Sequence, residues 1–126
     1  MTDSQDNSRD LSISAADFLR KATEFTEVRE MGTTVAGRFL VVSRAPAPDQ
    51  RTRLGIVVSR RCCRKAVGRN RGRRLIRESF RLCRSMINGP CWLVVIARHP
   101  IVRATMPEVR DELLRLLDRL EKAELG

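Results

Sequence analysis

SRRCCRKAVGRNRGRRLIRESFRLCRSMI, running from Ser59 to Ile87, is the stretch around which this chain is organised. It holds ten arginines, Lys65 and a single acid, Glu78. The 126-residue chain has 25 Lys and Arg against 15 Asp and Glu, so everything outside the stretch carries 14 of each sign and the +10 excess sits here. Like charges at this density repel one another, and a polyanionic partner is the usual reason to keep them.

The stretch is also patterned. On a helix at about 100° per residue, Ile76, Phe80, Cys83 and Ile87 fall on one line, widened by Leu75, Leu82 and Met86. Asn70, Arg74, Arg77, Arg81 and Arg84 step along the opposite side. One face is apolar and the other is a rail of guanidinium groups. Guanidinium is planar and grips phosphate through two parallel hydrogen bonds, so arginine suits an ordered phosphate backbone. A merely solvated face would mix signs, and Glu78 is the only relief. An apolar arc with one aromatic fits a protein core better than a membrane surface.

On the N-terminal side, Arg53 to Ser59 reads as a strand. The segment 45–52, with Pro46 and Pro48, reads as a loop. Thr33 to Arg44 reads as one strand, with Phe39, Val41 and Ser43 alternating against Leu40 and Val42. Before it, a helix ends at Gly32 and has two possible starts, at Ser14–Asp17 or near Ala22. Residues 1–12 have the composition of a disordered tail, and 13–126 form a single domain. On the C-terminal side, the arginine helix is expected over 68–87, stopped by Asn88-Gly89-Pro90. Cys91 to Arg98 is nearly all apolar, as a central strand should be. Thr105 to Glu108 is a capping box opening a last helix, whose stripe is Val109, Leu113, Leu116, Leu117 and Leu120. The order helix, strand, strand, helix, strand, helix predicts a two-layer α/β sandwich.

The chemistry expected of such a chain is binding. The four cysteines include the adjacent pair Cys62 and Cys63 but no C-x-x-C, and with one histidine they make poor zinc ligands. They read as reduced thiols, with Cys83 and Cys91 buried. His99 follows a strand beside Pro100 and reads as a loop histidine. Glu108, Asp111, Glu112 and Asp118 are assigned to the outer face of the last helix rather than to a metal cluster. No phosphate-binding P-loop is present. The polar, acidic N-terminus is not a secretory signal, which predicts a cytoplasmic protein without a membrane or small-molecule partner.

Ala66 to Arg81, AVGRNRGRRLIRESFR, resembles the RNR segment of the bacterial ribonuclease P protein subunit, typically A-V-x-R-N-R-x-[KR]-R-x-x-R-[EQ]-x-[FW]. Arg69, Asn70, Arg71, Arg73, Arg74, Arg77, Glu78 and Phe80 meet every specified position. Arg53 to Arg61 resembles the family's R-x-G-[LIV]-x-V-[SA]-[KR]-[KR], and the weaker likeness extends from about Leu19 to Leu120. The resemblance implies a ribosomal-protein-S5-like topology with a fourth, short strand and a left-handed βαβ crossover. It also implies an RNA subunit that cleaves precursor tRNA with Mg²⁺, leaving the mature 5′ end. The metal belongs to the RNA-containing holoenzyme, and the protein acts as a clamp. Arg60, Arg61, Arg69, Asn70, Arg71, Arg73, Arg74, Arg77, Arg81 and Arg84 are then the residues expected against ribonuclease P RNA.

The same resemblance places the 5′ leader of the substrate in a cleft between the sheet and the first helix. Phe25 matches the first cleft aromatic of a segment resembling F-x-x-V-[FY]-x-x-G, while Arg29 and Ser43 stand where aromatics are frequent. Strand alternation puts Val41 and Phe39 on the face of Ser43, and Leu40 and Val42 beneath the arginine helix. Phe25 and Phe39 are therefore expected to stack leader bases, with Arg29 adding a cation. Two other classes compete: a general RNA- or ribosome-binding accessory protein, and a DNA-binding protein. The second needs groove-reading side chains, and in the arginine helix only Asn70 qualifies.

Overall fold

The computed structural model describes residues 15–125. Three helices and four strands alternate as α1 (Ala22–Met31), β1 (Thr33–Ala36), β2 (Leu40–Pro46), β3 (Arg53–Val57), α2 (Ala66–Cys83), β4 (Cys91–Ala97) and α3 (Met106–Leu125). Short 3₁₀ turns cover Ala15–Asp17, Arg84–Met86 and His99–Arg103. The sheet order is β1-β2-β4-β3. β2 is antiparallel to both neighbours, and β3 pairs with β4 in parallel through the α2 crossover. The expected tail, 1–12, lies outside the described residues.

Strand alternation divides the sheet into two faces. Leu40 and Val42 of β2, Leu54 of β3, and Leu93 and Val95 of β4 face α2 and α3. They bury Leu75, Ile76, Phe80 and Cys83 of α2 together with Val109, Leu113, Leu116 and Leu120 of α3. This sheet against two helices is the expected sandwich. The opposite face carries a smaller cluster: Leu19, Val28, Ala45, Trp92 and Val94, and among the described residues α1 is the helix that packs on it. Beside α1, Val41, Val57 and Ile96 on this face are only half-buried by the described residues.

Local chemistry sets the helix ends. Glu24 accepts the backbone N–H of Lys21 at 2.9 Å and of Arg20 at 2.8 Å, so α1 starts at the second of the two candidate positions. Those hydrogen bonds, Lys21 first, hold the Glu24 carboxyl below its ordinary range. The Thr105–Glu108 capping box forms as expected, with Thr105 N–H donating to Glu108 at 2.8 Å and Glu108 N–H to Thr105 Oγ1 at 3.4 Å. The arginine helix begins at Ala66 and ends its α-helical part at Cys83, two residues earlier and four earlier than the pattern suggests.

Two expectations fail here. Thr33 to Arg44 is not one strand: the chain turns at Gly37-Arg38-Phe39, and the missing fourth strand is β1. β2 then continues through Ala45 to Pro46, into the expected loop. Glu112 is not on the outer face of α3. It is 1% exposed, and its carboxylate accepts the backbone N–H groups of Arg38, Phe39 and Leu40 at 2.8, 2.7 and 2.8 Å. Gly37 lies against the same carboxylate, where a Cβ would come within 2.5 Å of Glu112 Cδ. A turn fastened by a side chain some seventy residues away leaves little local signature in the sequence.

Candidate RNA interface

α2 presents its arginines in three different ways. Arg74 and Arg77 are exposed and make no ion pair with any described residue. They stand opposite Ile76 and Phe80, each 0% exposed, so the helix phase read from the pattern is correct. Asn70 is exposed beside them, and Arg73 Nη1 reaches its Oδ1 at 3.4 Å. Farther along, Arg81 pairs with Glu78 at 2.8 Å and Arg84 with the buried Asp17 at 3.1 Å. The rail is therefore neutralised at its C-terminal end and bare in the middle.

Arg69 and Arg71 point elsewhere. Arg69 Nη1 donates to the carbonyl oxygens of Arg64 at 2.7 Å and Cys63 at 3.2 Å. Arg71 donates to Ala104 O at 2.7 Å, Val102 O at 3.2 Å and Ile101 O at 3.3 Å. These oxygens belong to the loop before α2 and the turn after β4. Two of the RNR arginines thus fasten backbone on either side of α2.

The loops so fastened enclose an open groove of about 1070 Å³ in front of the first turn of α2. Arg60, Arg61, Arg64, Lys65 and Arg69 line it together with His99 and Val102. Ser59 shapes the loop by accepting the backbone N–H groups of Cys62 and Cys63, both at 3.1 Å. Cys62 is buried, and burial raises its thiol pKa. Cys83 and Cys91 are buried as expected.

The other candidate surface is the uncovered part of the sheet beside α1. Ala36, Val41, Ile96 and Val57 are paired across all four strands and form one row. Val41, Ile96 and Val57 are half-buried and Ala36 is exposed. The next row is Thr34, Ser43, Val94 and Gly55. Ser43 is buried and shares a 2.7 Å hydrogen bond with the Thr34 hydroxyl. Phe25 of α1 packs against Gly55, where a Cβ would come within 2.5 Å of the ring, so glycine is what lets the aromatic lie on the sheet. Arg29 is exposed one helical turn farther along α1.

Phe39 does not join this cleft. It sits in the β1–β2 turn rather than in β2, so alternation does not reach it, and it is 7% exposed within the core between sheet, α2 and α3. Arg38 lies over its ring at 5.3 Å. Of the five residues expected at the cleft, Phe25, Val41 and Ser43 lie on the sheet face that α1 packs on, Arg29 is exposed on α1, and Phe39 lies in the core on the other side. Ala36, Val57 and Ile96 join the floor. Ala36 shares the face of Val41 only because the chain turns at Gly37-Arg38-Phe39, and Val57 and Ile96 are placed beside it by the strand register.

At the other end of α1, Phe18, Arg20, Lys21, Arg53 and Trp92 surround a second hollow. Asp49 accepts from Arg53 Nε at 2.6 Å and Trp92 Nε1 at 3.1 Å. Burial pushes the Asp49 carboxyl up, but the hydrogen bonds from Arg53, Trp92 and the Arg51 backbone N–H, together with the Arg53 charge, hold it below its ordinary value. Among the described residues, no three His, Cys, Asp or Glu gather as metal ligands. No helix there is long and apolar enough to cross a membrane.

The comparisons with known proteins agree with this geometry. The family model described as Ribonuclease P matches residues 13–121. The ribonuclease P protein component of Desulforapulum autotrophicum is 34% identical over 84% of this chain and 90% of its own length. That of Marinomonas sp. is 40% identical over 71% of this chain and 67% of its own. The RNase P protein of Thermotoga maritima superposes with a TM-score of 0.72 at 33% identity, covering 81% of this chain and 96% of that one. A Staphylococcus aureus RNase P protein mutant with defective mRNA degradation activity gives 0.76 at 31% identity, covering 84% and 89%. These structures share the expected S5-like fold.

Proposed function

This chain belongs to the ribonuclease P protein family, and from that premise we propose that it is the positioning subunit of the ribonucleoprotein. Its cationic surface holds the ribonuclease P RNA, and the open sheet beside α1 receives the 5′ leader of precursor tRNA. The RNA subunit carries out the endonucleolytic step that leaves the mature tRNA 5′ end. The observation that carries this reading is the bare middle of the rail. Arg74 and Arg77 stand exposed, and unpaired among the described residues, on the helix whose other face builds the core.

Binding, not bond cleavage, is what these side chains offer. Fixed cations reduce the repulsion between two RNAs brought together. Affinity for the leader, remote from the scissile bond, holds the substrate in register with the reacting groups. The described residues gather no acidic cluster suited to Mg²⁺, so we assign the metal to the RNA-containing holoenzyme. Such an assembly works where tRNA precursors are made, which places it in the cytoplasm.

Competition tests the reading. Binding of the chain to a bacterial ribonuclease P RNA is challenged with duplex DNA of equal phosphate content. The RNA complex should survive a large excess of DNA. Equal competition by DNA would show a general polyanion binder instead.

A further inference from the structure

The groove before α2 is lined by the cations Arg60, Arg61, Arg64, Lys65 and Arg69. All of these side chains donate hydrogen bonds and none accepts. The thiols of Cys62 and Cys63 are weak acceptors, the side chains of Ala66 and Val102 offer none, and the carbonyl oxygens of Cys62, Cys63, Arg64, Lys65 and Val102 already accept hydrogen bonds within the chain. His99 is the exception. Its Nδ1 lies 2.8 Å from the carbonyl oxygen of Cys62. A carbonyl oxygen only accepts, so Nδ1 carries the proton, and in the neutral ring Nε2 keeps its lone pair. His99 is exposed and lines the groove, and Nε2 bonds to no described residue.

We propose that His99 Nε2 accepts a hydrogen bond from a ribose 2′-hydroxyl of an RNA strand lying in this groove. The assignment rests on the ribonuclease P reading above and adds a discriminating contact to it. Backbone phosphates present only acceptors, which the arginines match. The 2′-hydroxyl is the sugar–phosphate group that can donate, and it is what separates RNA from DNA. Side chains that only donate would hold either backbone. One fixed acceptor, set in its tautomer by Cys62, favours ribose.

Two substitutions separate the ring nitrogens. His99→Asn can keep an N–H toward Cys62 but brings no acceptor to the Nε2 position. His99→Gln extends an amide oxygen to that position. Binding of the full chain is measured to ribonuclease P RNA, and to a short RNA hairpin with either ordinary or 2′-fluoro riboses, which keep the A-form and lack the donor. The wild-type chain should prefer the ordinary hairpin by about two- to tenfold, the range of one net hydrogen bond. His99→Gln should keep the preference and His99→Asn should abolish it. A wild-type chain without preference, which needs no variant to observe, would overturn the assignment. So would a His99→Asn chain that keeps it. Failure to bind ribonuclease P RNA at all would overturn the functional reading, and the assignment with it.

Discussion

Phe39 donates its backbone N–H to Glu112 Oε2 across 2.7 Å, joining the β1–β2 turn to α3. Arg38 and Leu40 donate to the same carboxylate, which is 1% exposed. A buried anion satisfied by three backbone donors is stable only while all the donors stay in place. Glu112→Ala leaves those donors buried without an acceptor, and it should destabilise the fold by about 3 kcal/mol or more. Urea unfolding measures it. A loss below about 1 kcal/mol would mean the turn stands without the carboxylate.

The arginines of α2 separate by salt dependence. A side chain that neutralises one phosphate adds about 0.7 to 0.9 to the slope of log affinity against log salt. Arg74→Ala and Arg77→Ala should each lower the slope on ribonuclease P RNA by that amount and leave stability near wild type. Arg71 donates to three carbonyl oxygens, so Arg71→Ala should lower stability while leaving the slope nearly unchanged. A slope change for Arg71→Ala equal to that of Arg74→Ala would place Arg71 on RNA instead.

Phe25 and Phe39 should part company in substrate binding. Stacking is worth about 1–3 kcal/mol per base by alanine substitution. Phe25→Ala should weaken binding of precursor tRNA with a leader by that amount and leave mature tRNA nearly unaffected. Phe39→Ala should lower stability and show no leader preference, because the ring lies in the core. Equal losses on both tRNAs for Phe25→Ala would remove Phe25 from the cleft.

Alkaline pH should weaken the fold through Cys83. Burial raises its thiol from the ordinary value of 9.0 to about 11 in the folded chain. The unfolded thiol ionises first, so the unfolded state holds fewer protons across that interval and stability falls as pH rises. The contribution is complete below about pH 9 and is lost progressively between about 9 and 11. Cys83→Ala should flatten this part of the pH–stability curve. An unchanged curve would assign the loss to other groups.

Much of this was legible because it is local. The apolar line of α2 appears in the sequence at helical spacing, and Ile76, Phe80 and Cys83 are all buried where it puts them. The Thr105 capping box reads the same way. What was not legible depends on distant partners. The turn at Gly37-Arg38-Phe39 lacks a strong turn signature and is held by Glu112. Arg69 and Arg71 look identical to Arg74 in sequence, and only the carbonyl oxygens around them show that their guanidinium groups are tied to the chain's own backbone. The floor of the cleft required a register between strands as far apart as β1 and β4.

A positioning subunit supplies position and charge to an RNA that performs the cleavage. The most direct measurement is reconstitution at low Mg²⁺, with a bacterial ribonuclease P RNA and a precursor tRNA. Little cleavage is expected from the RNA alone, none from the chain alone, and removal of the 5′ leader at the mature end when both are present. Cleavage by the chain without the RNA, or no gain on adding it, would rule out a positioning subunit.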